Sequence, residues 1–211
     1  MEPRDLKIAE SICQLIEGLL SLQKDCHSQW KEDLDNLGTF NFKSLRVYKA
    51  IPDETFIQFI ERYRERLKDI QMVLLVQTLK AAFSDLGQFD YRVKEYDSYR
   101  DKLNRYVTGA QEGKIPVNKC LNDLAGFRIQ LYVDLPFDEV IAFVREKFPN
   151  QSEVKCLNSS KNGYFAVHVY IKDVNQMPVW ELQIWNNCDR ENNIKSHSAY
   201  KQDYTKYSER K

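Results

Sequence analysis

Three short segments of this chain alternate between apolar and polar side chains, and a two-residue period confines such segments to strands with one buried face. Along residues 126–133, Phe127, Ile129, Leu131 and Val133 point one way, and Arg128, Gln130 and Tyr132 the other. Along residues 164–172, Phe165, Val167, Val169 and Ile171 oppose Tyr164, Ala166, His168 and Tyr170. Along residues 179–185, Leu182 and Ile184 oppose Glu181 and Gln183. A merely solvated sheet face collects Lys, Thr and Ser. This one collects an Arg, a His, a Glu, a Gln and tyrosines, which is the composition of a site.

The rest of the chain reads as cover for that sheet. Leu6, Ile8, Ile12, Leu15, Ile16, Leu19, Leu20 and Leu22 recur at helical spacing, so residues 5–35 are expected to be an amphipathic helix. Residues 38–49 lack a period and read as a loop or short strand carrying Lys43, Arg46 and Lys49. Pro52 and Asp53 open a second helix, which the apolar spacing carries through Phe56, Phe59, Ile60, Tyr63 and Leu67 to near Gly87. If residues 91–105 are helical, Lys94, Ser98 and Lys102 fall on one stripe with Arg92 near its start. Such a stripe suits a polyphosphate, although most charged stripes are solvated faces. Residues 136–148 form a crossover helix with Val140, Phe143, Val144 and Phe148 inward, and residues 153–157 a further strand. The expectation is an α/β (α+β) fold, a mixed sheet flanked by helices, with residues 1–90 a helical region docked on a core of residues 91–211.

Composition narrows the chemistry. The 31 basic and 31 acidic side chains cancel, which disfavours a uniformly basic nucleic-acid binder but leaves local patches. Five scattered cysteines without a CxxC pair support neither a disulfide framework nor a zinc site. No segment approaches the apolar length of a membrane span, so a soluble cytoplasmic protein is expected. Neither GxxxxGK[ST] nor GxGxxG occurs, which excludes the common phosphate loops, and no GxSxG supports a serine nucleophile. Asp123, just before a strand and a glycine, is a magnesium-ligand candidate or an ordinary capping residue.

Taken in order, Arg92-Val93-Lys94 with Ser98 and Lys102, then Asp123-Leu124-Ala125-Gly126-Phe127-Arg128, Asn162-Gly163-Tyr164 with His168, Glu181-Leu182-Gln183-Ile184, and finally His197 with Tyr200 and Lys201 resemble the motifs of RelA/SpoT-type pyrophosphokinase synthetase domains. The resemblance implies a nucleotidyltransferase-like mixed sheet. It also implies magnesium-dependent transfer of the β,γ-pyrophosphate of ATP to a ribose 3′-hydroxyl. By position, Arg92 and Arg128 would clasp the adenine, Lys94 and Lys102 would hold phosphates with Ser98 nearby, and Asp123 and Glu181 would bind Mg2+. Glu181 would also act as general base, with Gln183 orienting the hydroxyl. Tyr164 would stack on the acceptor base, with His168, Asn162 and Lys161 around the acceptor.

Two departures bear on the acceptor. Relatives that make guanosine alarmones usually carry an Arg where this chain has Trp185, and a basic residue where it has Phe165. Some 26 residues follow Trp185, fewer than the oligomer-forming helices of tetrameric small alarmone synthetases need, so a monomer is expected. These features resemble the toxic branch of the small alarmone synthetases, which are held by an antitoxin and several of which pyrophosphorylate the 3′-terminal adenosine of tRNA. Lys43, Arg46 and Lys49, or Lys155 and Lys161, would then meet RNA phosphates. The alternatives are GDP, GTP or an adenosine nucleotide as acceptor, or an inactive RNA-binding module.

Overall fold

A computed structural model describes residues 2–196; the motif residues His197, Tyr200 and Lys201 lie outside them. Five strands, β1 (Gly87–Val93), β2 (Ala125–Leu131), β3 (Val154–Asn158), β4 (Val167–Ile171) and β5 (Trp180–Trp185), form one sheet in the order β1-β2-β5-β4-β3. The β2–β5 pair is parallel and the other pairs are antiparallel, so the sheet is mixed, as the order of one strand, a crossover helix and three further strands leads one to expect. Phe127, Ile129, Leu131, Val167, Val169, Ile171, Leu182 and Ile184 all lie on its buried face. Each such side chain contributes about 1.5–3 kcal/mol when removed from water.

Helices cover that face. Their order is α1 (Pro3–Asp35), α2 (Val47–Ala50), α3 (Glu54–Lys68), α4 (Ile70–Ala82), α5 (Tyr96–Thr108), α6 (Val117–Cys120) and α7 (Phe137–Lys147). The buried stripe of α1 includes Ile12, Leu15, Ile16 and Leu19, and α7 presents Val140, Ile141 and Val144. One hydrophobic core runs from α1 through α3 and α7 to the strands. Within it Trp180 donates its Nε1–H to the Tyr63 oxygen at 2.7 Å, and Tyr63 lies 2.8 Å from His27 Nε2. No helix among the described residues is long and apolar enough to cross a membrane.

The structure corrects the sequence reading along residues 164–166, which precede the strand and leave Phe165 exposed, at residues 47–50, which form a short helix, and at two further places. The second helix is not continuous: α3, capped by the Asp53 carboxylate on the Phe56 N–H at 3.0 Å, ends at Lys68, and Asp69 is extended (ψ 146°). The break turns α4 back on the body, where Met72 meets Cys26 of α1 with the two sulfurs 3.8 Å apart. Residues 91–93 are strand rather than helix. β1 has the same alternation as its neighbours, with Phe89 buried and Gln88, Asp90 and Arg92 exposed, and its pairing with β2 outweighs the helical spacing of the cations. Lys94, Ser98 and Lys102 therefore do not form a helical stripe: Lys94 lies between β1 and α5, while Ser98 and Lys102 are on α5.

Candidate active site

The open face of the sheet carries the residues that the alternation put there. The register sets Arg92 opposite Gly126 and Asp90 opposite Arg128. It sets Gly126 opposite Glu181 and Arg128 opposite Gln183, and His168 opposite Gln183 and Tyr170 opposite Glu181. Gly126 has a steric purpose here. A Cβ added to it would lie 3.1 Å from Nε and 3.2 Å from Cγ of Arg92, so the missing side chain is the space in which Arg92 lies.

At one end of this face, Asp123 gathers both lysines despite the lost helical stripe. Lys94 Nζ is 2.6 Å from Oδ2 and Lys102 Nζ is 3.0 Å from Oδ1, while Asn122 Oδ1 also accepts from Lys102 at 3.1 Å. Burial pushes the Asp123 carboxyl up, but Lys102 and Lys94 outweigh it and hold the group at about 2. The lysines themselves move in opposite directions. Burial, with repulsion from Lys102 and Arg92, lowers Lys94 in spite of Asp123, whereas for Lys102 the attraction of Asp123 overcomes burial and raises it. Ser98 is exposed on the first turn of α5.

A closed ring of side chains occupies the middle of the face. The Glu181 carboxylate, 5% exposed, meets His168 Nδ1 at 3.1 Å and accepts from Gln183 Nε2 at 2.8 Å. His168 Nε2 lies 2.9 Å from the Tyr164 oxygen, which accepts from Trp185 Nε1 at 3.1 Å. On the other side, Arg128 Nε and Nη2 donate to Gln183 Oε1 at 3.2 and 3.0 Å. The ring closes where the Arg128 guanidinium lies 3.7 Å over the Trp185 ring. Burial raises the Glu181 carboxyl, but the hydrogen bonds it receives from His168 and Gln183 bring it below its ordinary value and keep it ionised.

Local structure explains why Tyr164 can reach this ring from outside a strand. β4 begins only at Val167, because Asn162 (φ 52°) and Gly163 (φ 79°) turn the chain back and Lys161 and Tyr164 bond to each other across the turn. Buried Asn193 then brackets the Phe165 backbone, accepting from its N–H at 2.7 Å and donating to its carbonyl at 2.8 Å. The Tyr164 hydroxyl is pushed up to about 12 by burial, so it stays protonated.

Tyr170 was missed as a site residue, although the alternation placed it on this face. Its phenol hydrogen-bonds Glu181 and, with burial acting first, is raised above its ordinary value. The basic candidates separate in space. Lys155 lies on the open face of edge strand β3 opposite Tyr170, and Lys161 and Asn162 are exposed in the turn. Lys43 lies close enough to Lys172, at the end of β4, to lower it, second to burial. Arg46 bridges to Pro116, and Lys49 sits over Tyr48 beside Gly113.

The donor set suits a hard cation. Asp123 and Glu181 are near enough for the charge of Asp123 to raise Glu181, and no group of three or more His, Cys, Asp or Glu that could hold a metal occurs among the described residues. One or two carboxylates, with substrate phosphates completing the sphere, are how Mg2+ is ordinarily held beside nucleotides.

Residues 91–205, more than half of the chain, match the family described as "Region found in RelA / SpoT proteins". No curated protein matches the chain. Among solved structures, the chain is similar to small alarmone synthetase 1 from Bacillus subtilis, at 18% identity and TM-score 0.43 over 72% of this chain and 82% of that one. It is also similar to small alarmone synthetase 2 from Bacillus subtilis, at 17% identity and TM-score 0.41 over 69% and 80%. The first enzyme bound to AMPCPP gives 18% identity and TM-score 0.39 over 72% and 81%.

Proposed function

We propose, from the premise that this chain belongs to the RelA/SpoT family and is a pyrophosphokinase, that its open sheet face transfers the β,γ-pyrophosphate of ATP to the 3′-hydroxyl of the terminal adenosine of tRNA. Such a transfer is mostly positioning and charge neutralisation, and the residues present supply both. Lys94 and Lys102 hold the phosphates, exchanging Asp123 for substrate oxygens. Arg92 and Arg128 hold the adenine. Asp123 and Glu181 hold Mg2+, which when bound neutralises the phosphate charge. Glu181 accepts the hydroxyl proton, with Gln183 and His168 fixing its two oxygens.

The observation that carries the acceptor assignment is a row on one face, Glu181 of β5, Tyr170 of β4 and Lys155 of β3, ending at an exposed cation on the sheet edge. Two strand spacings, about 10 Å, separate its ends. That geometry favours an acceptor whose backbone continues outward over the edge and brings a further phosphate to Lys155. Lys161 and Asn162 lie in the turn at the other end of the β3–β4 pair, and Lys43 with Lys172 forms a second basic spot at the end of β4. An enzyme that caps tRNA ends blocks translation, and we infer that it acts as a toxin restrained by an antitoxin protein.

The test is to incubate the protein with γ-labelled ATP and magnesium and to offer deacylated tRNA, GDP, GTP and AMP in parallel. Label is expected on tRNA, falling steeply with salt and with Lys155→Ala, because each phosphate contact releases counterions. Label on GDP or GTP without tRNA labelling overturns the tRNA reading in favour of alarmone synthesis. No label on any acceptor points to an inactive RNA-binding module.

A further inference from the structure

The side-chain ring closes through a residue that the proposed transfer does not use. Trp185 is 2% exposed at the end of β5 and offers two different features to two different partners. Its π face lies 3.7 Å from the Arg128 guanidinium, and its Nε1–H donates to the Tyr164 oxygen at 3.1 Å. Arg128 belongs to the ATP half of the site and Tyr164 to the acceptor half. A cation in place of Trp185 would repel Arg128 at this distance.

The polarity of the ring adds a second observation. An indole N–H can only donate, so the Tyr164 oxygen accepts from it, an arrangement in which its own proton can point at His168 Nε2, 2.9 Å away. His168 then carries its proton on Nδ1, pointing at Glu181 Oε1 at 3.1 Å. A guanidinium can also only donate, so Arg128 fixes Gln183 with its oxygen outward and its amide N–H2 toward Glu181 Oε2 at 2.8 Å. Both donor chains start at the Trp185–Arg128 stack and end on the two oxygens of one carboxylate.

We propose that Trp185 is a positioning residue that couples the two substrate halves. It sets the plane in which Arg128 meets the nucleotide base, and through the Tyr164 bond it sets the acceptor side and the His168 tautomer that faces Glu181. This rests on the reading that ATP and a hydroxyl acceptor meet on this face, and not on which acceptor it is.

Three variants separate the two contacts. Trp185→Phe keeps an aromatic face under Arg128 and deletes the N–H. Trp185→Leu deletes both, and Tyr164→Phe deletes the oxygen that the N–H reaches. Calorimetry with a non-hydrolysable ATP analogue and magnesium should give Trp185→Phe within about twofold of the native affinity and Trp185→Leu about tenfold weaker. With the acceptor that the native enzyme labels, Trp185→Phe should raise the acceptor KM about five- to tenfold, the worth of one hydrogen bond, with the ATP KM little changed. Trp185→Phe combined with Tyr164→Phe should be no worse than the more damaged single variant, because both remove the same bond.

An unchanged acceptor KM in Trp185→Phe, an ATP affinity as weak in Trp185→Phe as in Trp185→Leu, or multiplying effects in the double variant would each overturn the coupling while leaving the transfer reading intact. A native enzyme that labels no acceptor removes the transfer reading and the coupling together. Should the buried leucine variant fail to fold, the phenylalanine variant and the double variant still decide the acceptor side, and a native ATP affinity in Trp185→Phe remains required.

Discussion

Replacing Asp123 by asparagine separates the two things that this carboxylate does. In the native protein it neutralises one of two ammonium charges, Lys94 at 2.6 Å and Lys102 at 3.0 Å, on side chains only 15% and 17% exposed. The amide leaves both cations without a counter-charge, although Asn122 still accepts from Lys102. Breaking a buried pair by removing one partner costs about 3–5 kcal/mol, and the residual exposure of the lysines puts this case near the lower end, about 3. In a domain of this size about 1 kcal/mol moves Tm by about 2–4 °C, so the melt should fall by about 6–12 °C. The same change should act in the opposite direction on nucleotide. A polyphosphate must take the lysines from Asp123, and without the carboxylate the cradle of two lysines and one aspartate goes from one net positive charge to two. One further unit charge about 6 Å from a phosphate, at an effective dielectric constant of about 40, contributes about 1.4 kcal/mol, or about tenfold in affinity. Asp123→Asn should therefore bind a non-hydrolysable ATP analogue about tenfold more tightly than the native protein in EDTA, and lose the gain that the native protein shows when magnesium is added. Thermal melts and calorimetry with and without magnesium read both effects. A variant that melts like the native protein, or binds the metal-free analogue more weakly, would refute the account of Asp123 as the group that restrains the phosphate lysines.

Three further expectations follow from other contacts. Glu181→Gln should reduce transfer about 10²–10⁴-fold while ATP binding is kept, because the amide cannot take a proton and presents only one accepting oxygen to His168 and Gln183; near-native turnover in a radiolabel assay would dismiss Glu181 as the base. Gly126→Ala should weaken ATP about two- to fivefold by moving Arg92 off its rotamer, at about 0.5–1 kcal/mol, with acceptor KM unchanged; unaltered ATP affinity in calorimetry would show that Arg92 does not bind ATP from this position. His27, enclosed by Tyr63 and Trp180 and 3.4 Å from Asp173, is lowered from 6.5 to about 4 by burial, which outweighs the pull of Asp173. The unfolded chain thus binds a proton that the folded chain refuses, so stability is full above pH 6.5 and falls by up to about 3 kcal/mol as pH drops toward 4. Urea unfolding from pH 4 to 7 checks this, and a slope that His27→Gln leaves unchanged would assign it elsewhere.

What the sequence reveals about the site and what it hides follow from the range of the interactions involved. Alternation is local, so it put Arg128, His168, Glu181 and Gln183 on one face, and strand pairing then had only to bring the strands together in register. β1 was hidden because Phe89, Tyr91 and Val93 alternate inside a stretch whose cations also fit a helix, and only the antiparallel partner β2, more than thirty residues on, decides between the two periods. Lys94 and Lys102 met regardless of that error. Their convergence depends on a buried carboxylate at Asp123 and not on sharing a helix face. Trp185 was hidden more deeply. As a letter in the sequence it marks a missing cation, and only in three dimensions does its indole supply what a cation could not, a face for Arg128 together with a donor for Tyr164. The core repeats the pattern on the other face of β5, where Trp180 donates to Tyr63, and Tyr63 lies against His27, beside Asp173. The two indoles of one strand thus anchor a Trp-Tyr-His-carboxylate chain on each side of the sheet. The core chain runs from α1 through α3 to β5, with His27 on the buried stripe of α1 and Tyr63 on that of α3, whereas the outer chain lies on the sheet face that carries Asp123 and Arg92 and ends at Glu181.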